Sequence, residues 1–574
     1  MRSRFPTTFW LLLAASALVL FFRLGSYGLV ETSDARYAEI ASEMYLSGDW
    51  LTPHLNYIKH FHKPPLTYWV TAAGYHLLGY NEWGARLSLG LAALGTLLLT
   101  YALARRLYGE RAGQLAWLIL LSMGGFLGAH RLLTTDPLLT LALTAALYSF
   151  WRWQEGEGAG WSHAFFACLG AAMMTKGPVG ILVVWLIILA WALAAGRLAR
   201  LSRLRWGTGL AIFCLLGLPW YLYMVWRNEG LLHYFLFGQL ADRVSGEMGH
   251  RYPFWYSPLT FLLYALPWTP FLLLALWRAL AGRRREGEAR GAAYLAAWCL
   301  VPVAFFALPA TKLPNYILPA LPAAAVLLAA WWRDAPLAAG GRAAAALLAA
   351  ALLAYPALLW VRPHLTPGLE GLALQVAVVG GAAALLCGAT ALSARPWPAI
   401  AGAATLLPAL IIAAGLQVEA LPLRSYRPLG EQAAAALSPG TRLCSYKCNL
   451  FSLPYYTRQR VVEAGMGRET QFERQDTAAV LPSPEALLEG WESGGRTLCV
   501  LPEWALRDFD GRRYRLLGKH RKLVLISNDT PTGGPRGGQE VSVPDRAVLG
   551  RRAGQASAAD GKHALGQAQG GQRP

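Results

Sequence analysis

The chain has 574 residues, of which 55% are hydrophobic and only 15% charged, with a formal net charge of +19. An average soluble domain carries roughly 25% charged residues, so a chain made only of such domains is excluded. The basic excess does not point to nucleic acid, because Lys and Arg punctuate apolar runs, where they act as topology signals and headgroup contacts.

Runs of about 17–25 apolar residues recur from Thr7 to Val418, each long enough to cross roughly 30 Å of hydrocarbon. They predict an all-α polytopic membrane protein of about thirteen transmembrane helices. The spans are 7–23, 85–104, 113–129, 136–152, 161–175, 178–196, 206–227, 255–277, 291–308, 314–332, 343–361, 370–393 and 397–417. The first run follows Arg2 and Arg4 as in a signal peptide, but no small-x-small cleavage site follows it, so it reads as an uncleaved helix. The run 66–80 is short and interrupted by Thr67, Thr71, Gly74 and His76, which suits an interfacial or re-entrant helix.

Charge bias sets the expected orientation. With the N-terminus inside, the even-numbered crossings return to basic loops at Arg105/Arg106/Arg111, Arg152, Arg197–Arg205, Arg278–Arg290, Arg333/Arg342 and Arg395. This predicts an inner-membrane protein with a transmembrane domain over 1–417 and a first periplasmic loop at 24–84. The loop at 228–254 and the segment after 418 fall on the same outer side. Within 418–528, short strands at 441–446, 496–502 and 522–528 alternate with helices at 428–437 and 483–493, predicting a small periplasmic α/β domain. Residues 529–574 are Gly-, Gln- and Pro-rich with almost no aromatics, the composition of a disordered tail. Cys168, Cys214, Cys299 and Cys387 sit in apolar runs as small hydrophobes. The pairing of Cys444, Cys448 and Cys499 stays open.

Ionisable residues gather at the outer ends of the spans, where such residues default to functional candidates. The segments are 31–40 (ETSDARYAEI), 60–69 (HFHKPPLTYW), His130-Arg131 with 134–137 (TTDP), 175–179 (TKGPV), 239–251 (QLADRVSGEMGHR) and 311–319 (TKLPNYILP). Each residue has a plain alternative. Asp34 could complement a helix dipole, Asp136 before Pro137 fits a helix start, and Lys63 and Lys176 could be snorkelling lysines. Taken together, two acids and several cations facing one side suit a reaction that releases an anionic lipid phosphate. The catalytic candidates are Asp34, Asp136 and Lys63. Candidate substrate contacts are Arg36, Tyr37, Arg131 and Lys176, together with Arg243, Lys312 and Tyr316. No nucleotide-phosphate loop of the Walker or dinucleotide type is evident.

The runs 33–40 (SDARYAEI), 61–66 (FHKPPL), 82–87 (EWGARL), 135–137 (TDP), 175–179 (TKGPV) and 313–319 (LPNYILP) resemble the polyprenyl-phosphate-dependent transferases. These include the 4-amino-4-deoxy-L-arabinose lipid A transferases and, more distantly, the dolichyl-phosphate-mannose–protein mannosyltransferases. The resemblance is strong over about 1–330. It implies a membrane-embedded C-type glycosyltransferase fold, with Asp34 and Asp136 matching the two acids and Lys63 the lysine of the K-P-P motif. The residue before that lysine is commonly Glu in the aminoarabinose enzymes and here is His62. In the family this position and a later histidine, best matched by His250, are candidates for a divalent-metal site, so Zn²⁺ or Mg²⁺ is an expected cofactor.

The resulting expectation is a glycosyltransferase that moves a sugar from an undecaprenyl-phosphate carrier to lipid A, another glycolipid or a protein at the periplasmic leaflet. Membrane lipids are the surroundings, nucleic acid is no partner, and a monomer is expected. A protein O-mannosyltransferase-like enzyme is the alternative, and a lipid-linked-sugar flippase a further one. A transporter would show internal repeats and mid-bilayer charges, and the sequence shows neither.

Overall fold

The computed structural model describes residues 6–238, 251–281, 286–332, 425–465, 480–481, 483–492 and 495–529, plus isolated positions between 342 and 392. The expected spans at 343–361, 370–393 and 397–417 and the tail 529–574 lie almost wholly outside these residues. The chain forms two compact units. One comprises Met1–Arg427, Leu450–Arg458 and Arg468–Asp476, and the other Pro428–Asn449, Gln459–Gly467 and Thr477–Pro574.

The first unit is helical. In chain order it contains α1 (Thr7–Phe21), α2 (Ser33–Ser47), a hairpin of β1 (His54–Leu55) and β2 (Ile58–Lys59), α3 (Leu66–Leu78) and α4 (Glu82–Tyr108). There follow α5 (Glu110–Leu121), α6 (Gly124–Ala129), α7 (Asp136–Gln154), α8 (Ala159–Lys176), α9 (Pro178–Ala194), α10 (Trp206–Gly217) and α11 (Pro219–Arg227). The last are α12 (Tyr256–Tyr264), α13 (Thr269–Ala281), α14 (Glu286–Ala307) and α15 (Leu321–Trp332), the last preceded by a 3-10 segment, Pro314–Ala320.

Among the described residues, three helices are long and apolar enough to cross a membrane: Glu82–Tyr108, Ala289–Ala307 and Pro314–Trp332. The number rises to five if each bent pair counts as one span. Those pairs are α10/α11, bent by 48°, and α12/α13, bent by 112°. The continuous apolar runs at 206–227, 255–277 and 113–129 are thus each interrupted. At 113–129 the break falls at Ser122–Met123, where the Ser122 hydroxyl bonds back to the Leu118 carbonyl and accepts from Trp268 Nε1 at 3.0 Å.

Several polar groups inside the bundle are satisfied by nearby backbone or side chains. Thr96, Thr100, Thr140 and Thr144 return their hydroxyl protons to the carbonyl four residues back. Buried Trp117 donates to Ser16 Oγ at 2.8 Å, and Trp298 to the Pro319 carbonyl at 2.8 Å. The helices have distinct ends. Arg86, Asp136 and Lys176 lie at one end of α4, α7 and α8. Arg106 and Arg152 lie at the other, ion-paired with Glu155 and Glu157.

The short helix α16 (Ser452–Thr457) packs into this unit against α2. Glu31 accepts the backbone N–H groups of Phe451 at 3.2 Å and Ser452 at 2.8 Å. The Tyr456 hydroxyl accepts from Leu29 N at 2.8 Å and donates to Glu82 Oε1 at 3.0 Å.

The second unit is a mixed sheet. Its described strands are β3 (Arg442–Tyr446), β4 (Val462–Ala464), β5 (Val480–Leu481), β6 (Thr497–Pro502), β7 (Arg515–His520) and β8 (Leu523–Ser527), in the order β5-β4-β3-β6-β8-β7. β3 pairs in parallel with β4 and β6, and β4 with β5, while β8 is antiparallel to β6 and β7. Arg427–Ala436 and Pro484–Glu489 are its helices, and Trp491, Phe509, Cys444, Cys499 and Ile526 fill its core.

Two expectations follow. A Cβ on Gly74 would lie 2.1 Å from the Gly84 carbonyl oxygen, because α3 and α4 touch backbone to backbone there. Gly74→Ala should cost about 1–3 kcal/mol and lower the melting temperature of the purified protein. Gly160→Ala, which meets nothing within 4 Å, should melt with the wild type. Burial raises the Glu31 carboxyl to about 7, against the hydrogen bonds from Ser452 and Phe451. The folded-state value lies above the unfolded one, so its contribution is present at low pH and is lost as pH rises through about 7. Between pH 6 and 8 the wild type should therefore lose on the order of a degree or two of melting temperature relative to Glu31→Gln. Parallel pH dependence of the two proteins would contradict this.

Candidate functional site

α2 begins without a side-chain N-cap bond from Thr32. Asp34, in its first turn, instead gathers donors from three parts of the chain. Val30 N reaches Oδ2 at 2.9 Å and Leu133 N reaches Oδ1 at 2.7 Å. Arg86 completes the set, with Nε on Oδ1 at 3.2 Å and Nη2 on Oδ2. The Arg86 guanidinium also donates to the carbonyls of Leu24 at 3.2 Å, Tyr27 at 2.8 Å and Gly28 at 3.1 Å. It lies 3.9 Å from the centre of the Tyr27 ring. All five guanidinium protons are thus used, and the Asp34 carboxylate accepts four bonds, about its full capacity. Both side chains are buried, at 0% and 1% exposure. The Asp34 oxygens are all reached by protein donors, so the carboxylate ties Val30, Leu133 and Arg86 together.

Arg86 was not singled out in the sequence. Its signal was there, since an arginine at the start of an apolar span needs a buried partner.

The second acid is arranged differently. Asp136 opens α7 with Pro137 behind it, and Lys176 closes α8 before Gly177, which has φ +78°. An acid at a helix N-terminus and a cation at a C-terminus each meet a favourable dipole. The two side chains form a buried ion pair. The Lys176 ammonium lies 4.2 Å from the centre of the Tyr316 ring. Tyr37 lies alongside: burial raises its phenol to about 12, with Arg36 opposing and Asp136 reinforcing the shift, so it remains a neutral hydrogen-bonding group. Tyr264 donates to Asn315 Oδ1 at 2.6 Å next to Tyr316. Asp136, Lys176, Tyr37 and Tyr316 therefore come together, as their shared side of the membrane led one to expect.

A cationic cluster forms around the start of α3. Lys63 Nζ donates to the His62 carbonyl at 3.0 Å. The Arg36 guanidinium lies 5.8 Å from the Tyr37 ring centre and 5.9 Å from that of Phe451. The rings of His60 and His62 are 4.4 Å apart, and His62 stacks on Tyr234 at 6.1 Å. Burial first, then the charges of Lys63 and Arg36, lower His62 to about 3, and burial together with His62, Arg36 and Lys63 also lowers His60. Two fixed cations thus stand beside two neutral imidazoles, an arrangement that favours an anion.

Two expected substrate contacts have other partners. Arg131 closes the end of α1 by donating to the carbonyls of Phe22 at 2.7 Å and Val19 at 2.8 Å. Lys312 donates to the carbonyls of Tyr252 at 2.9 Å and Pro309. Arg243 and His250 lie outside the described residues. Among the described residues no three His, Cys, Asp or Glu side chains form a metal-binding group. The neutral imidazoles of His60 and His62 are ligands of the type Zn²⁺ takes, but only two of them are present.

Residues 8–235 match the dolichyl-phosphate-mannose-protein mannosyltransferase family model. The undecaprenyl phosphate-alpha-4-amino-4-deoxy-L-arabinose arabinosyl transferase 1 of Pseudomonas fluorescens is 35% identical over 327 residues, which is 54% of this chain and 56% of that protein. The corresponding transferase of Erwinia tasmaniensis is 33% identical over 320 residues, 54% of this chain and 57% of its own. The matches thus span little more than half the length of these curated relatives. The crystal structure of ArnT from Cupriavidus metallidurans bound to undecaprenyl phosphate superimposes with a TM-score of 0.80, at 25% identity over 92% of this chain and 100% of that one. Its apo state gives 0.79 at 27% identity, over 92% and 99%. The chain is a membrane protein that resembles the aminoarabinose transferases of the polyprenyl-phosphate-dependent C-type glycosyltransferases, in fold across most of its length and in sequence across about half.

Proposed function

We propose that this protein transfers a sugar, 4-amino-4-deoxy-L-arabinose in the simplest reading, from undecaprenyl phosphate to lipid A or a related acceptor at the periplasmic leaflet. One observation carries the reading. Arg36 and Lys63 stand with neutral His60 and His62, and Tyr37 links this cluster to the Asp136–Lys176 pair by feeling both Arg36 and Asp136. The likeness to a transferase solved with undecaprenyl phosphate supports it. On this reading the N-terminus is cytoplasmic and the sheet unit periplasmic, as the basic loops suggest.

Each residue has a task. Lys63 and Arg36 receive the lipid phosphate, whose charge grows as the bond to the anomeric carbon breaks, so their attraction is greatest in the transition state. Lys176 holds Asp136 oriented through their ion pair, so that the carboxylate can position the acceptor and take a proton where the nucleophile carries one. Tyr37 and Tyr316 line the same place with neutral phenols. Attack by the acceptor as the phosphate leaves gives inversion in one displacement. A divalent ion, where bound, would be held by His62 with His60 beside it and His250 as a further ligand, and would add positive charge near the phosphate.

The deciding assay offers purified protein an acceptor lipid with either a polyprenyl-phosphate sugar or a nucleotide sugar. Transfer should require the polyprenyl donor, and transfer from the nucleotide sugar alone would refute the reading. Lys63→Ala should lower kcat by about 10²-fold or more with a smaller change in acceptor KM. Asp136→Asn should lower kcat at unchanged protein yield. Metal analysis should find a divalent ion that His62→Ala removes, and equal metal content in the two proteins would end that assignment.

A further inference from the structure

The sheet unit has the strand order of a doubly wound fold over its parallel part. From β3 the chain passes to β4 and β5 on one side and then returns to β6 on the other. Parallel sheets of this kind bind ligands in the crevice beyond the carboxyl ends of the two strands where the winding reverses. Here those are β3 and β6, and the residues just beyond them are chemically unusual.

Lys447 follows β3 in a left-handed conformation, with φ +52°. Its ammonium bonds Asp508 Oδ2 at 2.8 Å, and the Tyr446 hydroxyl donates to the same oxygen at 3.1 Å. Both protein donors therefore go to one carboxylate oxygen, and Oδ1 has no partner among the described residues. Beyond β6, Trp504 is 55% exposed. Its ring centre lies 5.7 Å from the Arg507 guanidinium and 5.9 Å from the Lys447 ammonium.

We propose that this crevice binds a saccharide, stacked on the Trp504 indole and hydrogen-bonded through its hydroxyls to Asp508 and Lys447. An exposed indole offers a flat apolar face to the C–H side of a pyranose ring. The free carboxylate oxygen accepts hydroxyl protons, and the ammonium donates. The positive charges of Lys447 and Arg507 are offset by Asp508 and the neighbouring Glu485, which favours a neutral sugar over a phosphorylated one. A peptide partner would be expected to need a longer apolar groove than a single indole supplies. The site is distinct from the cluster around Lys63 and does not depend on the transfer reaction.

The test presents the full chain in detergent with an array of neutral and phosphorylated oligosaccharides from bacterial envelopes and reads binding directly. At least one neutral saccharide should be retained. Trp504→Ala and Asp508→Asn should weaken it about tenfold or more, and Trp504→Phe should keep part of the affinity. Lys63→Ala should leave it unchanged, which separates this site from the donor site. Retention of no saccharide, or affinity unaltered in the folded Trp504→Ala protein, would overturn the proposal, as would loss of binding with Lys63→Ala alone.

Discussion

The ion pair between Arg86 and Asp34 is the interaction on which one end of the first unit depends. It joins the start of α4, the turn at Leu24–Gly28, the first turn of α2 and the backbone at Leu133. A buried pair of this kind repays its desolvation only when every remaining donor and acceptor is also satisfied, and here the carbonyls and amides of the surrounding turns do that. The pair also sets spacing. Two residues beyond Asp34 comes Arg36, and three beyond Leu133 comes Asp136. One knot of hydrogen bonds therefore fixes where the cationic cluster and the second acid stand relative to each other.

Within that frame the charged groups divide by partner. Asp136 and Lys176 neutralise each other at opposed helix ends, where the dipoles favour both. Arg36 and Lys63 stand beside imidazoles that their own field and burial keep neutral. The first pair can orient a substrate without itself adding net charge. The second group carries a net positive charge that a lipid phosphate can offset. The same end of the helices holds α16, drawn in by Glu31 and Tyr456, so the carboxylates of the first loop serve packing as well as chemistry.

Much of this was legible in the sequence. The apolar runs marked the helices, and α7, α8 and α9 fall within two residues of the expected limits. The breaks were not legible, because they arise from contacts between distant segments: Leu266 accepts the amide of Gly124, and Trp268 bonds Ser122. Asp136, Lys176, Tyr37 and Tyr316 were recognisable as candidates from type and position, but their pairing spans 40 residues or more and no local pattern encodes it. Arg131 and Lys312 show the opposite limit. A cation at a span end looks the same in sequence whether it meets a substrate or the last carbonyls of a helix, and here both meet carbonyls. Arg86 was hidden within the motif 82–87, although its position at the start of an apolar span called for a buried anion.

The Asp34–Arg86 pair holds this end of the unit together. A double-mutant cycle on Asp34→Asn and Arg86→Gln, reading thermal unfolding of the purified protein, measures that coupling. Breaking a buried pair from either side costs about 3–5 kcal/mol. Each single change should therefore lower the melting temperature sharply, and the double variant should be no worse than the poorer single one. An Asp34→Asn protein that melts with the wild type would contradict this structural role, and loss of sugar transfer by the same protein would assign Asp34 direct work on the substrate.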